Sequence, residues 1–282
     1  MDARKILIIG NSHSVDAFHF LCDAYEDCNP NENIITGIAY FGGCSITQHI
    51  EFYKNQQKVY RYYKNNNGKY SETNEVDLKT IITDEEWDTV FLQAAKADLD
   101  DTLNLSGRRE LESIVDSLVK TPHRFMWHTS WPCPNDETFF SPDYVRQPPK
   151  GYKDNLIRLY GFNPVTQFSV LTTKAKEHIL TDSVYSGAVC TGSAVMHAYL
   201  KQNCAQLDIW RDYTHLNDFG QLIVAYAYVA QLTKKPVTRV GINMVPQSFR
   251  HKQYSHLGDM QVTEQMKEII IKAANYSLEH PF

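Results

Sequence analysis

The sequence predicts an α/β protein built on a doubly wound parallel sheet of about five strands. Two observations predict it: short apolar runs recur along the chain, and the segments between them place apolar residues at helical spacing. Strands that alternate with helices pair in parallel through right-handed crossovers. The apolar runs cover residues 6–9, 34–40, 89–92, 124–127 and, less clearly, 183–185.

Each predicted strand is short and bounded by polar or turn residues, and several are rich in β-branched or aromatic residues. Such runs are typical of strands that helices cover on both faces. Helices are predicted over 108–120, 166–179 and 217–232. The last of these is apolar nearly all round, which indicates burial, and Asn217 or Asp218 is its expected cap.

Two segments depart from this alternation and are predicted to be insertions, near 51–76 and 129–153. The first holds five tyrosines among lysines and asparagines. It is either a helix followed by a hairpin or loop at the sheet edge, or an aromatic flap that stacks against a sugar. The second holds five prolines and no helical period. A loop this long is usually functional or disordered, and its aromatic residues favour order.

The composition is typical of a globular chain that forms one domain over residues 1–282, with a C-terminal helical extension from about 260. The chain is 43% hydrophobic and 22% charged, and its formal net charge of −5 argues against nucleic acid as a partner. We recognise no export signal and no apolar run long enough to span a bilayer. We therefore expect a cytoplasmic protein with no membrane partner, whose six cysteines are free thiols.

Small and polar residues follow four of the predicted strands. Ser12 follows the first, the stretch GGCS at 42–45 follows the second, Gln93 ends the third, and 128–130 follow the fourth. Ligands of open α/β sheets bind beyond the carboxyl ends of the strands. We therefore expect these residues to converge on one rim.

Asp212 and His215, three residues apart, directly precede the predicted buried helix. A histidine there can act as a general base, while the carboxylate fixes its tautomer and stabilises its charged form. A serine hydroxyl needs such a base to become a nucleophile. The pair therefore indicates a catalytic site in combination with Ser12, for which His215 would be the base.

At this point the chain resembles a known family. Gly10-Asn11-Ser12 after the first strand, together with the stretch DYTHL that contains Asp212 and His215, resembles the SGNH (GDSL-type) hydrolase superfamily of esterases and lipases. The further combination with GGCS and a strand ending in Leu-Gln is similar to an SGNH-like bacterial subgroup known mainly as a domain of unknown function.

The resemblance implies a three-layer α/β/α sandwich of flavodoxin-like topology with a triad of Ser12, His215 and Asp212. It also implies an oxyanion hole formed by the backbone N–H groups of Ser12 and Gly43, with Gly42 as an alternative. In this chain Gln93 stands where the family has an asparagine that donates to the oxyanion. Asn11 likewise stands where the family usually has aspartate.

We therefore predict a serine esterase or acyl hydrolase that acts on a small-molecule ester, an acylated carbohydrate being one candidate, without a metal or a cofactor. The alternative is a binding or structural protein that keeps the fold with weakened catalysis, a hypothesis motivated by Asn11 and Gln93.

Other candidate sites in the same region are weaker. Ser14 is interpreted as a helix cap and Cys44 as a tightly packed residue. A metal site built from His13, His49, His128 and Asp16 matches no compact ligand spacing.

Overall fold

The computed structural model describes residues 3–94, 102–245 and 259–282, except for the side chains of 102–106. The chain divides into two compact units. The first comprises Met1–Ser130 and Leu171–Val189, and the second comprises Trp131–Val170 and Cys190–Phe282.

A seven-stranded sheet forms the centre of the first unit. Its strands are β1 (Arg4–Gly10), β2 (Ile34–Tyr40), β3 (Tyr60–Asn66), β4 (Lys69–Val76), β5 (Thr89–Leu92), β6 (Arg124–Thr129) and β7 (Tyr185–Cys190). They lie in the order β4-β3-β2-β1-β5-β6-β7. β1 is parallel to β2 and β5, with Gly10 beside Tyr40 and Ile9 beside Leu92. The carboxyl ends of these three strands therefore share one edge of the sheet.

The sheet has seven strands rather than the predicted five, because β3 and β4 form a hairpin that extends it antiparallel to β2. Asn67 and Gly68 take φ values of 53° and 80°, as a tight two-residue hairpin turn requires. Tyr60, Tyr62 and Tyr63 of β3 are buried. These three tyrosines therefore support the sheet edge instead of forming an aromatic flap.

The least clear strand prediction, 183–185, is displaced towards the C-terminus. Asp182 closes a turn there, since its side chain accepts a hydrogen bond from the N–H of Val184 and its carbonyl accepts one from the N–H of Tyr185. The backbone groups of these residues are used in the turn, and β7 consequently begins at Tyr185.

The helices of the first unit lie alongside this sheet. Buried side chains of the strands and of the long helix before β6 form one apolar cluster. Ile9, Leu92 and Trp127 of the strands meet Leu111 and Val115 in that cluster. The helices are α1 (Ser12–Phe18), α2 (Leu21–Cys28), α3 (Ile46–Lys54), α4 (Leu78–Ile82) and α5 (Thr102–Leu118).

The second unit is mainly helical. Its elements are α6 (Tyr152–Tyr160), α7 (Pro164–Ala175, which runs on into the first unit), α8 (Thr191–Lys201), α9 (Gln206–Ile209), α10 (Asp218–Thr233), β8 (Met244–Val245), β9 (Met260–Gln261) and α11 (Glu264–Glu279). α10 packs against α8 and α11 and is buried along nearly its whole length. Its predicted cap is confirmed, since the side chain of Asn217 accepts a hydrogen bond from the N–H of Gly220 (2.9 Å). Within the described ranges, no helix has both the length and the apolar composition needed to cross a bilayer.

Candidate active site

Ser12 is the first residue of α1 and follows the carboxyl end of β1 by two positions. Asn11, between them, caps the helix: its side-chain oxygen accepts a hydrogen bond from the N–H of His13 (3.1 Å). The amide nitrogen of the same side chain donates to the carbonyl of Cys44 (3.2 Å). Asn11 therefore holds the start of α1 against the loop that follows β2.

Gln93, at the end of β5, holds the residues on either side of Ser12. Its side-chain oxygen accepts hydrogen bonds from the N–H of Asn11 (3.0 Å) and from the hydroxyl of Ser14 (2.9 Å). Its Nε2 donates to the carbonyl of Ala94. The side chain is 1% exposed. The role of the Gln93 amide as an oxyanion donor remains a prediction, whereas its role as a brace of this turn is visible.

The two serines of this turn differ in their access to solvent. Ser14 is fully buried, and its hydroxyl is bonded to Gln93, so the interpretation of Ser14 as the helix cap is wrong: Asn11 fills that position one turn earlier. Ser12 is only half-buried. Of the two serines, Ser12 is therefore the more exposed.

Gly42 and Gly43 are exposed in the loop between β2 and α3. Gly43 takes a φ of 66°, where a side chain would be strained, so a glycine is favoured there for backbone reasons alone. Cys44 is buried, and its thiol lies against the carbonyl of Ser45 (3.5 Å). This packing agrees with the interpretation of Cys44 as a structural residue.

Asp212 and His215 form a closed pair in the second unit. Nδ1 of His215 lies 2.9 Å from both carboxylate oxygens of Asp212. One of these oxygens also accepts hydrogen bonds from the N–H groups of Thr214 (2.9 Å) and His215 (2.8 Å). Since a carboxylate only accepts, Nδ1 carries the proton, and Nε2 of the neutral ring keeps a lone pair.

The pKa of Asp212 is held below its ordinary value. Burial alone would raise it, since Asp212 is 0% exposed, but the hydrogen bonds from His215, the charge that its ring carries when protonated, and the charge of Arg211 outweigh burial. The carboxylate is therefore ionised at neutral pH, which is the state that an orienting carboxylate requires.

The proline-rich loop, residues 131–151, packs around the segment that carries this pair. Nε1 of Trp131 donates to the carbonyl of Thr214 (3.0 Å), and the hydroxyl of Tyr144 donates to the carbonyl of Arg211 (2.9 Å). These bonds come from the aromatic residues that predict order in this part of the chain. The loop thus packs against the Asp212–His215 segment and is hydrogen-bonded to its backbone.

Arg146 of the proline-rich loop brings a positive charge to the pair. Its Nη1 lies 3.4 Å from a carboxylate oxygen of Asp212 and 3.3 Å from Nδ1 of His215. Its guanidinium group lies over the ring of Tyr213, 5.8 Å from the ring centre. The sequence analysis missed this residue, because only the length and the aromatic content of the loop marked the segment as functional.

The histidines near the sheet edge belong to the interior. Burial lowers the pKa of both His49 and His128 to about 3, so both rings are neutral at pH 7. Nδ1 of His49 lies 2.7 Å from the hydroxyl of Tyr60. Among the residues that the structure describes, no three His, Cys, Asp or Glu side chains are grouped as metal ligands would be.

Comparison with known families gives one match, a domain of unknown function (DUF4886), over residues 5–154. The chain belongs to this family. The DUF4886 match includes Ser12, Gly43 and Gln93, and it ends before the Asp212–His215 segment. No curated protein matches the chain.

Solved structures that match the chain include a DUF4886 family protein from Bacteroides uniformis. It is 20% identical, with a TM-score of 0.76 over 99% of this chain and 96% of that one. An acetylxylan esterase from Geobacillus stearothermophilus, solved as a catalytic mutant, is 14% identical, with a TM-score of 0.46 over 81% of this chain and 94% of that one. A member of the lipolytic G-D-S-L family from Veillonella parvula is 15% identical, with a TM-score of 0.40 over 81% of this chain and 96% of that one. The first likeness shows that the fold is shared within DUF4886.

The site residues of this DUF4886 protein therefore fall into two groups. In the first unit, Asn11 and Gln93 fix the turn that presents Ser12. In the second unit, Asp212 and His215 form a hydrogen-bonded pair beside Arg146.

Proposed function

We propose that the protein is a serine esterase in which Ser12 is the nucleophile, His215 the general base and Asp212 the residue that orients His215. The oxygen of Ser12 bonds to the acyl carbon while His215 takes the serine proton, and the protonated histidine then donates that proton to the departing alcohol oxygen. A water molecule, deprotonated by the same histidine, next attacks the acyl-enzyme, and the serine regains its proton as the acid leaves.

The Asp212–His215 pair is the observation that carries the proposal. A histidine with a purely structural role needs no ionised partner, yet His215 donates Nδ1–H to a carboxylate that is fully buried and whose pKa is lowered. This tautomer leaves Nε2 as the basic atom. The proposal requires that Nε2 approach the hydroxyl of Ser12 to within about 2.6–3.2 Å.

The negative charge of the tetrahedral intermediate is proposed to be stabilised by the backbone N–H groups of Ser12 and Gly43 and by the amide of Gln93. One such donor contributes roughly 3 kcal/mol to the transition state. An amide oxygen cannot donate to an oxyanion, so the donor in Gln93 has to be Nε2, through the hydrogen that is not directed at the carbonyl of Ala94.

The substrate class that we propose is a small polar ester, with acetylated carbohydrates as the first compounds to examine. The test combines a fluorophosphonate probe with a panel of aryl, sugar and peptide-linked acetyl esters. Wild-type protein should be labelled on Ser12 and should release acetate. Ser12→Ala should lose both properties, whereas Ser14→Ala, the matched control, should keep the labelling because its hydroxyl is buried against Gln93.

The second candidate is a binding or structural protein with weakened catalysis. The inward hydrogen bonds of Gln93 favour it, since this side chain is occupied where the family's asparagine donates to the oxyanion. Folded wild-type protein that neither reacts with the probe nor hydrolyses any ester of the panel would support this candidate over the esterase.

A further inference from the structure

Arg146 is a charged side chain next to the Asp212–His215 pair that the proposed mechanism does not use. It reaches the Asp212–His215 pair from the proline-rich loop, and its side chain is 39% exposed, whereas Asp212 is fully buried. The loop holds it in place: Nε2 of Gln147, the next residue, donates to the carbonyls of Ser141 (2.8 Å) and Tyr144 (2.9 Å). The position of Arg146 is therefore built by the loop.

The contacts of Arg146 act on both members of the pair. Its Nη1 donates to Asp212, and it lies 3.3 Å from Nδ1 of His215, an atom that already donates to Asp212. Two donors cannot bond to each other, so the second contact is a charge next to the ring. A positive charge there disfavours protonation of the imidazole, whereas the buried carboxylate favours it.

A general base has to be neutral before it can accept a proton from the serine. Without a nearby positive charge, a histidine next to a buried, ionised aspartate would bind a proton more tightly, and its ring would no longer be neutral near neutral pH. We propose that Arg146 is a positioning residue: it orients the carboxylate of Asp212 and offsets its charge, so that His215 is neutral and ready to act at neutral pH. This inference rests on the proposed esterase mechanism.

Three further polar groups near the pair come from the same two segments. The backbone N–H of Arg211 donates to the carbonyl of His215 (2.9 Å), and the positive charge of its side chain lowers the pKa of Asp212. The hydroxyl of Tyr144 is bonded to the carbonyl of Arg211, and Tyr213 lies under the guanidinium of Arg146. Arg146 contacts the ring of His215 directly.

The test compares Arg146→Gln and Arg146→Met, which remove the charge, with Arg146→Lys, which keeps it. Arg158→Gln, on an exposed position of α6, is the matched control. The first readout is the ring titration of His215 by NMR, with its signal assigned from His215→Gln. The second is the pH dependence of kcat/KM with the best ester of the panel.

In Arg146→Gln we expect the apparent pKa of His215 in the NMR titration to rise by about one pH unit, and the acid limb of kcat/KM to move with it. Arg146→Lys, or added guanidinium ion with Arg146→Gln, should restore the wild-type profile. Arg158→Gln should change neither.

An unshifted titration in folded Arg146→Gln and Arg146→Met would overturn the inference, whether or not the protein hydrolyses esters. A shifted titration supports it by a measurement that needs no substrate. If the titration shifts while wild-type protein fails the probe and the ester panel, the charge relation stands and the esterase function alone is contradicted.

Discussion

Gln93 holds Asn11 and Ser14, on either side of Ser12, through one carbonyl oxygen. The N–H of Asn11 and the hydroxyl of Ser14 are both buried donors, and both end on this atom. The space around them is fully used: a Cβ added to Gly10 would lie 2.2 Å from the hydroxyl oxygen of Ser14 and 2.6 Å from this oxygen of Gln93. The turn that presents Ser12 is thus fixed by hydrogen bonds and by close packing together.

Gln93→Met is expected to destabilise the protein, because it removes the acceptor and leaves two buried donors without it. Each lost partner costs about 1–3 kcal/mol. The free energy of unfolding, measured in urea, should fall accordingly, and Gln93→Glu should be less affected because it keeps an acceptor. Gln57→Met, an exposed position, is the control. Equal stability of Gln93→Met and Gln57→Met would mean that the brace contributes nothing.

Asp212→Asn separates orientation from folding. The Asn oxygen can still accept the N–H groups of Thr214 and His215, so the turn should persist. The NH2 group of the Asn, which replaces the second carboxylate oxygen, is a donor and carries no negative charge, so the favoured tautomer of His215 should change. We expect kcat to fall by roughly 10⁴-fold with an unchanged thermal midpoint. A variant that folds normally and keeps full kcat would argue against the triad.

Whether a site residue can be predicted from the sequence depends on how far along the chain its partners lie. Ser12, Asp212 and His215 could be named because each belongs to a short local pattern. Arg146 could not be, since its contact with the pair depends on how the proline-rich loop folds, and no local pattern encodes that path. Gln93 was found as a residue, but its use as an acceptor depends on donors about eighty positions away.

At the scale of elements, α5 is joined to the turn before β7 by a buried ion cluster. Arg108 contacts Asp182 (2.6 Å) and Glu112 (3.2 Å), and Arg109 contacts the same two acids (2.7 and 2.9 Å). The hydroxyl of Tyr185 donates to Glu112 (2.7 Å). The cluster therefore fixes the helix to the edge strand through three buried charged side chains and the half-exposed Arg109.

The cluster should make stability depend on pH. Burial alone would raise the pKa of Asp182, but hydrogen bonds from Arg109 and Val184 and the charges of Arg108 and Arg109 lower it. Since folding lowers this pKa, the carboxylate stabilises the fold above its unfolded value of about 3.9, and the stabilisation is lost as the pH falls through the lowered folded value.

Asp182→Asn is therefore expected to lower the free energy of unfolding by about 3 kcal/mol at pH 7, because it leaves Arg108 and Arg109 to share the single carboxylate of Glu112. The difference from wild type should shrink as the pH falls below the unfolded value. Urea unfolding at a series of pH values measures it, with the exposed Asp143→Asn as control. A difference that stays constant down to the lowest pH would contradict this role of the ionised carboxylate.

Prediction of the elements worked best where burial on both faces left a continuous apolar run. The strands β2 and β5 were predicted with their observed bounds for this reason. For the hairpin of β3 and β4 the sequence predicts two alternatives, a hairpin or loop at the sheet edge and an aromatic flap, because its tyrosines and lysines are compatible with both. Tyr60 and Tyr62 alternate with the exposed Arg61, which is the strand signal that the composition obscured.

For the molecule as a whole, the six cysteines offer a test of packing. All six are free thiols; Cys28 and Cys204 are partly exposed, and the other four are buried. Burial raises the pKa of Cys22 to about 12, so that its reactive thiolate is scarce at neutral pH.

We expect a thiol reagent such as DTNB to modify two cysteines rapidly in the native protein and all six after unfolding. The double variant Cys28→Ser with Cys204→Ser should show no rapid phase and should keep its slow one. Rapid modification of more than two thiols in folded wild-type protein would show that at least one buried cysteine is reached from solvent.

The chain passes between its two units three times, since each unit combines two separate stretches of sequence. Synthesis runs from the N-terminus, so residues 131–170 leave the ribosome before the last strand of the first unit has been made. Until β7 is added, β6 lies at the open edge of the sheet, where unpaired backbone groups invite association with other chains. Translation that terminates before residue 190 therefore releases a chain whose sheet has an unpaired, aggregation-prone edge at β6. Because each unit combines two separate stretches of sequence, a gene that encodes one unit alone has to join two separate coding segments.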